Sequence, residues 1–150
     1  MPTLRDKDYC KTLQARLDHL RPDATPAWGK LSPTRMLAHV NDGMRMAAGE
    51  LEVRFRWTPI ALPGLKWFIL NVIPLPKGAP TAPELLRDVG DDPTVFAAEV
   101  ETLRSFINEF ASRPPGKSNL KHPLFGRLSR KAWDSLGAKH IDHHFRQFGV

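Results

Sequence analysis

The chain has 150 residues, the usual length of one domain, with 41% hydrophobic and 25% charged residues, ordinary globular values that exclude wholesale disorder. Its formal net charge of +6 is spread from Arg5 to Arg146 without a dense basic run, so it reads as a solvated basic surface able to draw in an anionic small molecule, and no nucleic-acid partner is expected. Cys10 is the only cysteine, which rules out an intrachain disulfide and fits a reducing, cytoplasmic compartment.

The opening residues, MPTLRDKDYCKTL, carry charges where a signal peptide needs an apolar run. A first helix is predicted from Thr3 or Asp6 to Leu20. Leu13, Leu17 and Leu20 form its apolar stripe, and Arg21-Pro22 stops it. Cys10 falls among its core positions, and nothing near it in sequence would lower its pKa, so it is not a candidate nucleophile.

The second helix has the clearest start, with Ser32 as cap and Pro33 in the first turn, where a missing N–H costs nothing. Met36, Leu37, Val40, Met44 and Ala47 supply its buried face, and Gly49 offers a C-terminal stop.

A long proline-rich connection follows, with Pro59, Pro63, Pro74, Pro76, Pro80 and Pro83 between Trp57 and Pro83. Its proline-free piece, Leu65 to Ile73, has the makings of a short helix across the bundle. Ordered connections of this length are often functional lids or site walls; an apolar cover over one end of the core is the equal alternative. The most apolar stretch, Ile60 to Leu75, is interrupted by Pro63, Gly64, Lys66 and Pro74. It falls short of the ~20 apolar residues of a membrane span, and no membrane partner is expected.

The third helix is predicted from Asp92-Pro93, again a cap followed by proline. Phe96, Val100, Leu103, Ile107 and Phe110 make a bundle-type seam, and Pro114-Pro115-Gly116 ends it. The fourth runs from near Ser129 to about Phe148. On one side of it lie Trp133, Leu136, His140 and His144, so histidines continue a stripe that apolar residues begin. No internal repeat appears, and residues 1–150 read as a single all-α domain.

That switch from apolar to histidine carries the functional reading. Residues four apart on a helix differ by ~40° in direction and ~6 Å in height, so His140 and His144 project side by side, as two adjacent corners of a metal site. Zinc peptidases use the same spacing, but the string here, His140-Ile141-Asp142-His143-His144, lacks their glutamate base. The best third ligand is His39, mid-helix on an apolar strip with Met36, Gly43 and Met46, where Gly43 would leave space beside an imidazole. A satisfied core histidine beside a close helix contact explains the same pattern, and spacing alone does not separate the two. Asn41, Asp42 and His143 are candidate outer-shell partners for the ligands' second N–H groups. His122, in a loop-like stretch before Pro123, and His19, at the end of the first helix, are not assigned to the site.

The run from Trp28-Gly29-Lys30-Leu31-Ser32-Pro33 through Met36-Leu37-Ala38-His39 resembles the second-helix signature of the DinB-like superfamily. The tail, His122-Pro123-Leu124-Phe125-Gly126 through Trp133 to His140-Ile141-Asp142-His143-His144 and Phe148-Gly149, is similar to one bacterial branch of it, a domain family of unknown function. The resemblance spans nearly the whole chain. It implies an up-down-down-up four-helix bundle and a three-histidine site whose ligands fall on His39, His140 and His144. It also implies Zn or Ni as the divalent metal, these being the typical metals of better-characterised relatives, which are transferases and isomerases that use a low-molecular-weight thiol.

Three protein ligands leave a metal position open, the catalytic rather than the structural pattern. The expected activity is therefore metal-dependent transfer or isomerisation through a small thiol on a small-molecule substrate, with no general base assigned. Metal-activated water attacking an ester or amide is the second reading. A metal-free binding or dimerisation module, consistent with a homodimer, is the third.

Overall fold

The computed structural model describes residues 2–79, 81–114, 118 and 120–150. Among them the chain is mostly helical: α1 Lys7–Asp18, α2 Pro33–Ala48, α3 Pro63–Asn71, α4 Pro93–Ser112 and α5 Arg130–Gln147, with a small two-stranded sheet, β1 Lys121–His122 and β2 Gly126–Arg127. Single 3₁₀ turns at Pro59–Ala61 and Pro83–Leu85 punctuate the connection between α2 and α4.

Each long helix starts where its side chains can satisfy the free N–H groups of a first turn. Asp6 accepts from the amides of Asp8 and Tyr9, Ser32 from Arg35, Asp92 from Thr94 and Ser129 from Ala132. The α2 helix ends on Gly49 at φ 87°, the left-handed conformation that lets its amide turn back to the last carbonyls. In α1 the helix stops at Asp18, two residues short of the expected end, and His19 Nδ1 reaches the carbonyl of Ala15 at 2.7 Å. Pro115 and Gly116, the expected stop for α4, and Pro80 lie outside the described residues.

The core forms where α2 packs against α4 and α5, and α1 packs against the same two helices. Leu13, Leu17 and Leu20 of the first stripe are buried, as are Met36, Leu37, Val40, Met44 and Ala47 of the second. The α4 seam is buried from Leu103 through Ile107 to Phe110, whereas Phe96 and Val100 nearer its start are only partly covered. Cys10 is buried in this core, its Sγ donating to the carbonyl of Leu4 at 3.1 Å, and burial pushes the thiol pKa up. No helix among the described residues is long and apolar enough to cross a membrane.

Two expectations need correction. The short connecting helix begins at Pro63 rather than Leu65, since proline supplies a ready-made first turn. The chain is also not purely helical, because residues 121–127 fold back as a hairpin that pairs Lys121 with Arg127 and His122 with Gly126. Gly126 at φ 66° adopts the left-handed backbone a three-residue hairpin loop needs. The His122 Nδ1 closes that loop by accepting from the amides of Leu124 and Phe125 at 3.1 and 3.3 Å.

Candidate metal centre

The three histidines singled out by spacing converge between α2 and α5. The Nε2 atoms of His39 and His140 are 3.0 Å apart, those of His144 and His140 are 3.1 Å apart, and all three ligand atoms lie within 4.8 Å of one another. Ring centroids are separated by 4.8–5.0 Å at interplanar angles of 68–85°, so each imidazole presents an edge to a common point. His39 and His144 are buried, and His140 keeps partial exposure.

Two of the three tautomers follow from the neighbours. His39 Nδ1 lies 2.9 Å from the carbonyl oxygen of Leu85, an obligate acceptor, so Nδ1 carries the proton and Nε2 a lone pair. His144 Nδ1 lies 2.8 Å from Gln147 Oε1. The amide of Gln147 is oriented by its Nε2 donating to the carbonyl of Trp28 at 2.6 Å, which leaves the oxygen facing His144. Both outer rings thus aim lone pairs at His140 Nε2. If that atom carries a proton it can donate to only one of them, so the protein alone cannot pair every nitrogen in the cluster.

Burial lowers the pKa of all three rings. For His140 it falls well below the usual imidazole value, with the like charge of His144 and His39 adding to desolvation. His144 is lowered to about 3 by burial and then by His39. His39 moves in the same direction through burial, opposed by its bond to Leu85 and by Asp42. Neutral imidazoles are the form that binds a metal.

Three imidazoles suit a divalent cation by type, and two of their three separations suit one by distance, the full set being gathered within 4.8 Å. Imidazole nitrogens ~2.0–2.1 Å from an ion at tetrahedral angles stand about 3.3–3.4 Å apart, and at right angles about 2.9 Å. The 3.0 and 3.1 Å contacts lie between those values. Gly43 meets a steric demand, though from His140 rather than from its helix neighbour His39: a Cβ there would stand 3.2 Å from His140 Nδ1 and 3.3 Å from Cε1.

The candidate outer-shell residues are placed differently from one another. Asn41 Nδ2 donates to the backbone oxygen and carboxylate of Glu99, at 2.9 and 2.7 Å. Asp42 pairs with Arg45 at 2.6 Å and with Arg87 at 3.4 Å, and Arg87 also pairs with Glu99 at 2.9 Å. Asn41 and Asp42 therefore make these bonds away from the imidazoles. Their network clamps Arg87, two residues past Leu85, so they hold the strand of chain whose carbonyl orients His39. His143 sits on the adjacent side of α5, its ring edge-on to Trp28 at 5.6 Å and to His144 at 5.1 Å, outside the converging set.

Sequence reasoning missed Leu85 and Gln147 as orienting groups. Gln147 was accessible, lying three residues after His144 on one helix face. The Leu85 carbonyl was not, because any residue supplies a carbonyl and only the path of the chain selects one. His122 is likewise more than a loop residue, packing against Trp133 at 5.5 Å with its pKa lowered to about 4 by burial. Two surface cavities of about 280 and 250 Å³ are lined by other residues, the first by Arg113, Arg130 and Trp133 and the second by Tyr9, Lys139 and Asp142.

Neither the curated proteins nor the solved structures contain a significant match to this sequence. A family described as a protein of unknown function, DUF1569, matches residues 5–149, nearly the whole length, and the chain belongs to that family.

Proposed function

We propose that the protein is a metal-dependent enzyme of the DinB-like kind, an up-down-down-up helical bundle that acts on a small molecule through a low-molecular-weight thiol. The convergence of three neutral imidazoles, two of them with Nε2 lone pairs enforced by Leu85 and Gln147, is the observation that carries the reading. His39, His140 and His144 would hold the ion; imidazoles suit Zn, Ni, Fe and Cu alike, and Zn or Ni is taken from the DinB-like resemblance. A divalent ion with three protein ligands keeps a position for an exogenous ligand and lowers the pKa of a thiol or water that takes it.

The chain's own contribution is orientation and exclusion of water. Leu85 and Gln147 fix two ring tautomers before any ligand arrives, so little ordering cost remains on binding. Met36, Leu37 and Val40 on α2, with Ile141 and Phe145 on α5, pack the core around these helices and keep the local dielectric low. The part-exposed His140 marks the side from which substrate approaches. A cytoplasmic setting, where small thiols stay reduced, belongs to the proposal and accords with the single buried thiol of Cys10.

Elemental analysis of tag-free protein, followed by titration with Zn²⁺ and Ni²⁺, tests the site directly. Near-stoichiometric binding is expected, and binding far below one equivalent after reconstitution would leave only a metal-free module. With metal loaded, consumption of a small thiol in the presence of an electrophile is expected. Release of acid from an ester without thiol consumption would replace the transferase reading with a hydrolase.

A further inference from the structure

Two stretches of the sequence carry cations without acids of their own, although Arg113 of the second pairs with Glu109 just outside it. Residues 53–83 contain four cations and no Asp or Glu, and residues 110–133 contain six cations and no Asp or Glu. Of 22 Lys and Arg and 16 Asp and Glu in the chain, the other residues keep twelve cations and all sixteen anions, a net negative remainder. The two acid-free stretches lie against each other. The Arg56 amide donates to the Pro123 carbonyl at 2.8 Å, Thr58 Oγ1 donates to the Leu124 carbonyl at 3.3 Å, and Lys66 Nζ donates to the Arg127 carbonyl at 3.2 Å.

The same region carries the uncovered apolar surface. Except for Leu86, the large hydrophobic side chains exposed among the described residues all fall between Phe55 and Val72, with Trp57 70% and Trp67 62% exposed. On α3, Leu65, Trp67 and Phe68 are exposed, and Val72 at its C-cap borders the cavity lined by Tyr9, Lys139 and Asp142. The inner side is fastened to the bundle: Leu70 is buried, and Lys139 Nζ donates to the carbonyls of Ile69 and Leu70 at 2.6 and 3.3 Å. The helix is thus anchored with apolar side chains left exposed, and the exposed cations Arg56, Lys121 and Arg127 belong to the segments that meet beside it.

We propose that this face docks on an anionic lipid surface, with Trp57, Leu65, Trp67 and Phe68 entering the headgroup boundary and Arg56, Lys66, Lys121 and Arg127 engaging acidic headgroups. Tryptophan, phenylalanine and aliphatic side chains on one face with basic residues at the rim are the make-up of an interfacial helix. Exposed patches of this kind mark interaction sites. A second copy of the chain would bring like charges face to face, since no carboxylate lies in either stretch to pair with them. Single-stranded nucleic acid would use the aromatic faces but leave Leu62, Leu65 and Val72 without a stacking partner. The association is superficial rather than a membrane crossing; it departs from the expectation of no membrane partner, and it does not depend on the proposed metal chemistry.

Co-sedimentation with phosphatidylcholine vesicles, with and without phosphatidylserine, tests the proposal, with tryptophan emission as a second readout. Binding to the acidic vesicles, a blue shift on binding and weakening by salt are expected. The double variant Trp67→Ser/Phe68→Ser should bind about tenfold or more weakly, and Lys66→Glu/Arg127→Glu should lose the preference for acidic vesicles. Both pairs lie outside the core, and unchanged circular dichroism and metal binding would show that the fold survives. No sedimentation with acidic vesicles overturns the proposal. So does a dimer that the Trp67→Ser/Phe68→Ser variant dissociates, or tight binding of a single-stranded oligonucleotide without vesicle binding.

Discussion

Removing one imidazole should separate metal binding from fold stability, and His144→Ala is the sharpest such change. Saturation of one site at a hundred times its dissociation constant stabilises a protein by about 2.7 kcal/mol. With an unfolding entropy near 2.1 cal/mol/K per residue, about 0.3 kcal/mol/K for a chain this long, the midpoint should rise by ~9 °C. The gain has a local cause in the cluster, because His140 Nε2 cannot satisfy both lone pairs that face it at 3.0 and 3.1 Å, whereas an ion can. Loss of one of three ligands costs about 3 kcal/mol or more, over a hundredfold in affinity. At the same metal concentration the variant should then gain no more than about 1 °C. The variant's metal-free midpoint also falls, since Gln147 Oε1 loses its donor, at about 1–3 kcal/mol. The ligand-induced shift, rather than the absolute midpoint, is therefore the quantity to compare by differential scanning calorimetry with Zn²⁺ and Ni²⁺. Equal shifts in wild type and variant, or no shift in the wild type with either ion, would refute the ligand assignment.

Three further outcomes follow from the same contacts. Gly43→Ala gains about 1 kcal/mol of helix propensity but sets a methyl 3.2 Å from His140 Nδ1, so urea denaturation should change little while metal affinity drops about tenfold; unchanged affinity would mean the ring is not held there. Gln147→Leu frees the His144 ring from its orienting acceptor, and isothermal titration should show affinity ten- to a hundredfold weaker; wild-type affinity would show that the tautomer is fixed by something else. The lowered pKa of His122, about 4 in the fold, means the unfolded chain takes up a proton near pH 6.5 that the folded one refuses until about 4. Stability of metal-free protein should therefore fall as pH drops through that window, with His122 responsible for up to about 3 kcal/mol. Asn at 122 keeps an acceptor for the Leu124 amide, so His122→Asn should flatten the pH profile from urea unfolding, and identical slopes would contradict a neutral imidazole held in the fold.

Much of the helical pattern was legible because its signals are local. The caps Asp6, Ser32, Asp92 and Ser129 act within three residues of themselves, and the buried faces of α1 and α2 repeat at helical spacing. The pairing of His140 with His144 is legible for the same reason, both lying on one helix four residues apart. The hairpin at Lys121–Arg127 was not, since its strands are two residues each and the side-chain bond that closes it comes from His122, a residue with no strong turn signature. Glu99 carries no local signal, because a buried carboxylate is tolerable only where Arg87 and Asn41 come to meet it from other elements.

The sequence by itself determined where the four long helices begin, which faces they bury and which histidines could share a face, because hydrogen bonding to a first turn and side-chain periodicity operate over a few residues. Only the tertiary structure decided that His39 meets His140 and His144, that Leu85 and Gln147 set their tautomers, and that scattered cations collect beside exposed tryptophans. Those are relations between residues far apart in sequence, 101 positions in the case of His39 and His140. Distances of that kind are set by how helices pack, through the summed burial of many side chains, and no short stretch of sequence encodes them.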